Sequence, residues 1–97
     1  MSVTPLWKIR SGQFAGWHTN NALYNDAGDH VGYLAGHIAY GLDGRPLGEL
    51  HQAEWIGRRR GAHYPAGETH PVCGSVAHAR LPDRAGLSVP DWTDPAP

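Results

Sequence analysis

Shifting the sequence against itself by 16 positions brings three units into alignment between about Leu6 and Ile56, and a short internal period of this kind constrains the fold more than any other feature of the chain. Gly12, Gly28 and Gly44 coincide, as do Gly16, Gly32 and Gly48. Ala15, Val31 and Leu47 keep an apolar residue just before the second glycine of each unit. The segments Asn25-Asp26-Ala27-Gly28-Asp29 and Leu42-Asp43-Gly44-Arg45 carry the Asx and Gly residues that positive-φ turn positions favour, and they lie between short apolar and aromatic runs. Each unit therefore reads as strand, tight turn, strand.

The connections at Asn20-Asn21 and Ala35-Gly36-His37 are short as well, so consecutive strands should pair antiparallel into a meander. Strands are expected near 6–10, 14–18, 22–25, 30–34, 38–41, 46–50 and 53–56, which makes the chain all-β. Thirteen glycines and eight prolines point the same way, since both are poor in helix interiors. A fourth unit is cut short: Trp55 continues the column of Trp7, Leu23 and Ala39, but Gly61 falls one position late. Period-two alternation places Trp7, Leu23, Ala39 and Trp55 on one face, with Leu6, Ala22, Tyr24, Ile38, Tyr40 and Ile56 on the other. Gly16, Gly32 and Gly48 fall mid-strand, where glycine is costly unless the backbone needs it, and a β-bulge that curves the sheet is the preferred explanation.

Two partly apolar faces on strands this short suggest burial against other subunits. A chain of 97 residues makes one domain at most, and its lone cysteine, Cys73, excludes an intrachain disulfide. Homo-oligomerisation is the expected source of the missing burial. The hairpin-repeat region is assigned to residues 1–61. Residues 62–97 form a proline-rich extended arm, with one added strand expected near 76–81 and an arm that packs across a neighbour.

The run Leu23-Tyr24-Asn25-Asp26-Ala27-Gly28-Asp29-His30-Val31-Gly32-Tyr33-Leu34, followed by Ile38-Ala39-Tyr40-Gly41-Leu42-Asp43-Gly44-Arg45-Pro46-Leu47-Gly48-Glu49-Leu50, resembles the bacterial four-fold beta flower domain. The likeness covers about residues 5–60 and rests on turn and glycine spacing. It implies small β-hairpin domains assembled around a four-fold axis, hence a homotetramer, and implies no activity. Glu49 departs from the aromatic column of Trp17 and Tyr33, and Arg58-Arg59-Arg60 stands where another hairpin would begin.

A net charge of -1 excludes a nucleic-acid footprint. No run approaches membrane-spanning length, and Met-Ser-Val-Thr-Pro lacks a basic region followed by an apolar stretch, so a cytoplasmic protein is expected. Aromatics at Trp17, Tyr24, Tyr33, Tyr40 and Trp55 would stack on a planar ligand if they line a cavity between subunits. Arg58, Arg59 and Arg60 would add an anion-attracting ring there when several copies meet.

His63, His70, Cys73 and His78 are the densest set of zinc-type ligands, although a single cysteine and irregular spacing match no finger or ribbon. His18, His30 and His37 are candidates for a metal on a symmetry axis. Haem would also need only a histidine in an aromatic pocket between subunits, bound non-covalently for want of a Cys-x-x-Cys-His motif. Cys73 with His70 nearby lacks a third, orienting group for catalysis. The reading is a homo-oligomeric binding or scaffold module for a planar or anionic small molecule. A metal- or haem-binding protein and a small enzyme with a site shared between protomers are its alternatives.

Overall fold

The structure, a computed structural model, describes residues 3–72, 74–75 and 80–95. Its strands are β1 (Thr4–Lys8), β2 (Phe14–Thr19), β3 (Ala22–Asn25), β4 (His30–Ala35), β5 (Ile38–Gly41), β6 (Pro46–His51), β7 (Trp55–Arg59) and the short β8 (Trp92–Thr93). The fold is all-β, and β1 to β7 follow one another as the antiparallel meander that the repeat predicts. The meander closes on itself. β1 pairs in parallel with β7, Trp7 opposite Trp55 and Lys8 opposite Ile56, with Trp7 N–H donating to Glu54 O and Ile9 N–H to Ile56 O. A seven-stranded barrel results, and closure removes the unpaired edges that a flat meander would expose. Among the described residues no helix is long and apolar enough to cross a membrane.

The mid-strand glycines are bulge positions. The register slips between Leu6 and Trp7, between Leu23 and Tyr24, and between Ala39 and Tyr40, so Ala15, Val31 and Leu47 are the extra residues on the facing strands. A Cβ on Gly16 would stand 1.9 Å from Tyr24 O; on Gly32, 2.1 Å from Tyr40 O; on Gly48, 2.4 Å from Gly57 O. The bulge thus pulls each glycine against the backbone of the next strand, and only hydrogen fits.

Closure also corrects the assignment of faces. Leu6, Leu23, Leu34, Ala39 and Ile56 form the buried core cluster inside the barrel, with Ala15, Leu47 and Leu50 packed against it. The inward column Leu6, Leu23, Ala39, Ile56 is spaced by 17, 16 and 17 positions, not by a strict 16. Its first extra residue lies in the β1–β2 turn. There Lys8 N–H reaches Gln13 O, whereas Asn25 N–H reaches Asp29 O and Gly41 N–H reaches Arg45 O in the turns that follow. The second lies between β6 and β7, where residues 52–54 separate the paired His51 and Trp55, against two residues between Thr19 and Ala22. With a side-chain period of two, one added residue moves a whole strand to the other face.

The outer aromatic face is covered by the same chain. Trp7, Ile9, Phe14, Trp17 and Trp55 form a second buried cluster, against which Leu81, Leu87, Val89 and Trp92 pack. Burying side chains of this size stabilises by roughly 1.5–3 kcal/mol each. The arm therefore packs on the barrel of its own chain. Leu87 N–H donates to Ile9 O, Arg84 N–H to Gly12 O and Trp7 Nε1 to Pro82 O, and β8 adds to β7 outside the ring.

Asp94 fastens the far end, its Oδ1 accepting the backbone N–H groups of Arg10 (2.9 Å) and Ser11 (3.2 Å). Burial alone would raise this carboxyl, but those two N–H groups, the Ser11 side chain and the charge of Lys8 outweigh it and leave the pKa lowered. The strand expected near 76–81 falls largely on residues 76–79, outside those described. The arm's strand is Trp92–Thr93.

Candidate functional site

The hairpin turns β1–β2, β3–β4 and β5–β6 all project from one end of the barrel, and each bulge follows its turn directly. Three apolar bulge residues, Ala15, Val31 and Leu47, are thereby gathered around that end. They enclose a cavity of about 590 Å³ whose floor is the buried Leu6, Leu23 and Ile56. Tyr24 and Leu42 complete its wall, and its rim carries Lys8, Asn25, Asp43, Arg45 and Pro95 from the end of the arm. Leu34, Ala39 and Leu50 fill the opposite end, so the barrel is a cup and not a tube.

Chemistry at the rim is unevenly distributed. Asn25 Oδ1 accepts the N–H groups of Ala27 and Asp29, and Asp43 Oδ1 accepts that of Arg45 at 3.0 Å, so these oxygens serve their own turns. Lys8 Nζ has Gln13 Oε1 at 3.4 Å, and the Arg45 guanidinium stands 4.0 Å from Asp43 Oδ2. An ammonium has three donors and a guanidinium five. Most of that donor capacity faces solvent at the mouth.

Few of the residues singled out by sequence meet here. Tyr24 lines the cavity and packs on His30. Trp17 and Trp55 are buried in the outer cluster, where Arg84 lies over Trp55 (4.7 Å) and Trp7 (4.6 Å) with Glu54 3.7 Å away. Tyr33 and Tyr40 stack on each other at 5.2 Å beneath residues 67–70: Tyr33 donates its hydroxyl to Glu68 O, and the His70 ring sits 3.9 Å from Tyr33.

The arginine run does not act as one patch. Arg58 donates to Pro46 O and lies over Tyr64, Arg59 pairs with the buried Glu49 at 3.0 Å, and Arg60 is exposed beyond the strand. Glu49, the departure from the aromatic column, also meets His37 at 3.3 Å. A carboxylate stands in place of the ring where Arg59 and His37, not the arm, cover this stretch of β6.

Of the histidines proposed for a shared metal, His18 contacts Ala53 O, His30 is buried against Tyr24, and His37 belongs to the Glu49 pair. Among the described residues no three His, Cys, Asp or Glu side chains are grouped to hold a metal. Cys73 and His78 lie outside the described residues, so the set with His63 and His70 is placed only in part.

Sequence reasoning missed Lys8, Leu42, Arg45, Leu47 and Val31 as site residues. The signal was present in Ala15, Val31 and Leu47, an apolar residue before a bulge glycine at every repeat, but reading it needs the closed barrel. Neither known family models, nor curated proteins, nor solved structures yield a match to this chain.

Proposed function

We propose that this protein is a small-molecule-binding barrel whose ligand sits in the cup at the turn end. The observation that carries the reading is the cavity of about 590 Å³ lined by Leu6, Leu23, Val31, Leu47 and Ile56, a size within the range of about 300–1,000 Å³ typical of ligand pockets. Its floor is side chains already buried on closed, bulged strands, so the space is built in and costs little to reorganise on binding. The interior offers contact area without catalytic groups, and binding, not turnover, is the activity it suits. Placing the ligand within one chain departs from the expectation of a site between subunits.

A neutral apolar fluorophore, N-phenyl-1-naphthylamine, tests this directly. One probe per chain with enhanced, blue-shifted emission is expected, weakened at least about tenfold in Val31→Trp, whose indole would occupy the mouth while Val31 itself is 38 % exposed and not part of the core. No enhancement, or equal binding by Val31→Trp, would defeat the reading. The tetramer implied by the beta flower resemblance is a separate proposal, and light scattering decides it: four chains per particle supports it, one refutes it.

A further inference from the structure

We propose that the cup selects an organic monoanion with an apolar body, such as a medium-chain carboxylate, seated tail-inward with its anionic head between Lys8 and Arg45. This rests on the ligand-binding reading above and goes beyond it by naming the charge and orientation of the ligand. The volume, about 590 Å³, equals that of about twenty water molecules at ~30 Å³ each, enough for a chain of ten or so carbons and a head group. The depth of the cup is apolar, with Leu6, Leu23 and Ile56 buried at its floor. A charge placed there would lose its hydration without a partner, so a charged head must stay at the rim.

The rim's own chemistry decides the sign of that head. Its carboxylate, Asp43, already accepts the Arg45 N–H, and nearby Asp94 accepts two backbone N–H groups from the β1–β2 turn. Those bonds take up part of each carboxylate's acceptor capacity, and at the rim the one carboxylate faces two cations, Lys8 and Arg45. The two cations are held more loosely: among the described residues Lys8 Nζ has one hydrogen-bond partner, the neutral Gln13 Oε1 at 3.4 Å, with the Asp94 charge near enough to act on it, and Arg45 has the contact with Asp43 at 4.0 Å. Charge-assisted hydrogen bonds from an ammonium and a guanidinium therefore favour a carboxylate over an ammonium or a hydroxyl. Both pairs are exposed to solvent, so each contributes modestly, about three- to fivefold, and together they give a discrimination of about tenfold that is sensitive to salt.

Competition against bound N-phenyl-1-naphthylamine separates this inference from its premise. Decanoate, decan-1-ol and decylammonium share one tail and differ in the head. Decanoate is expected to displace the probe at concentrations about tenfold below those of decylammonium, with the ratio falling about three- to fivefold in Lys8→Gln and again in Arg45→Gln. Raising the salt should narrow it. If the probe binds but decylammonium competes as well as decanoate, the cup is a ligand site without anion selectivity and this inference alone fails. If the ratio stands unchanged in the Lys8→Gln, Arg45→Gln double variant, the head lies elsewhere and the inference also fails. Absence of probe binding overturns the premise and the inference together.

Discussion

A Cβ added at Gly32 should damage this protein far more than one added at Gly61, and the difference isolates what the repeated glycines are for. At Gly61 the backbone is left-handed, φ +78°, but nothing lies within 4 Å of an added Cβ. Gly61→Ala therefore carries only the conformational penalty of an L-residue there, about 1 kcal/mol. Gly32 is the reverse case: its φ lies outside the left-handed range, yet the Cβ would be 2.1 Å from Tyr40 O and 3.1 Å from Tyr40 C. Ordinary contact begins near 3.4 Å, so strand β5 must retreat by more than an ångström. That movement strains the pairing of Gly32 with Gly41 and of Tyr33 with Tyr40. Two weakened backbone hydrogen bonds at about 1 kcal/mol each, plus overpacking of about 1–3 kcal/mol, give about 3–5 kcal/mol for Gly32→Ala.

Gly16→Ala combines both penalties, φ +144° and a 1.9 Å approach to Tyr24 O, and should be the least stable of the three. Urea unfolding followed by tryptophan fluorescence reads the series. For a domain of this size each kcal/mol also lowers the melting temperature by about 4–8 °C. Equal losses for Gly32→Ala and Gly61→Ala would refute the claim that strand proximity at the bulge, and not turn conformation alone, requires glycine in this column.

Arg84→Ala removes a guanidinium held over two indoles at 4.6 and 4.7 Å. About 1 kcal/mol of stability should go with it, and amide exchange at Leu87, whose N–H bonds Ile9 O, should accelerate as the arm loosens. Because the folded pKa of Asp94 is lowered from 3.8, its contribution is present above the unfolded value and is lost as pH falls through the folded one. Asp94→Asn should therefore destabilise at neutral pH, with a gap to the wild type that shrinks below about pH 4 in melts taken across the acid range. Leu23→Ala, at the floor of the cup and 4 % exposed, should cost about 2–4 kcal/mol in urea unfolding. It should also admit a bulkier probe, and unchanged stability would show that the interior is not packed as described.

The repeat alone determined the meander, the approximate strand positions and the bulges, because turn chemistry and mid-strand glycines act within a few residues of themselves. Asp26, Gly28, Asp43 and Gly44 sit in turns whatever the rest of the chain does, and the column of Gly16, Gly32 and Gly48 marks where strands bend. Only the tertiary structure decided which face lies inside. One added residue in the β1–β2 turn and another between β6 and β7 shift the inward column to Leu6, Leu23, Ala39 and Ile56, and a period of two turns each single-residue change into a reversal of sides.

Closure through β1 and β7 is equally invisible to local reading, since Trp7 meets Trp55 across the whole length of the meander. That long-range pair makes the chain a container, and it leaves the outer aromatics to be covered by the arm. The apolar residue before each bulge glycine was legible from the start. That Ala15, Val31 and Leu47 surround one cavity follows only once the sheet curls shut and carries their three bulges to the same end.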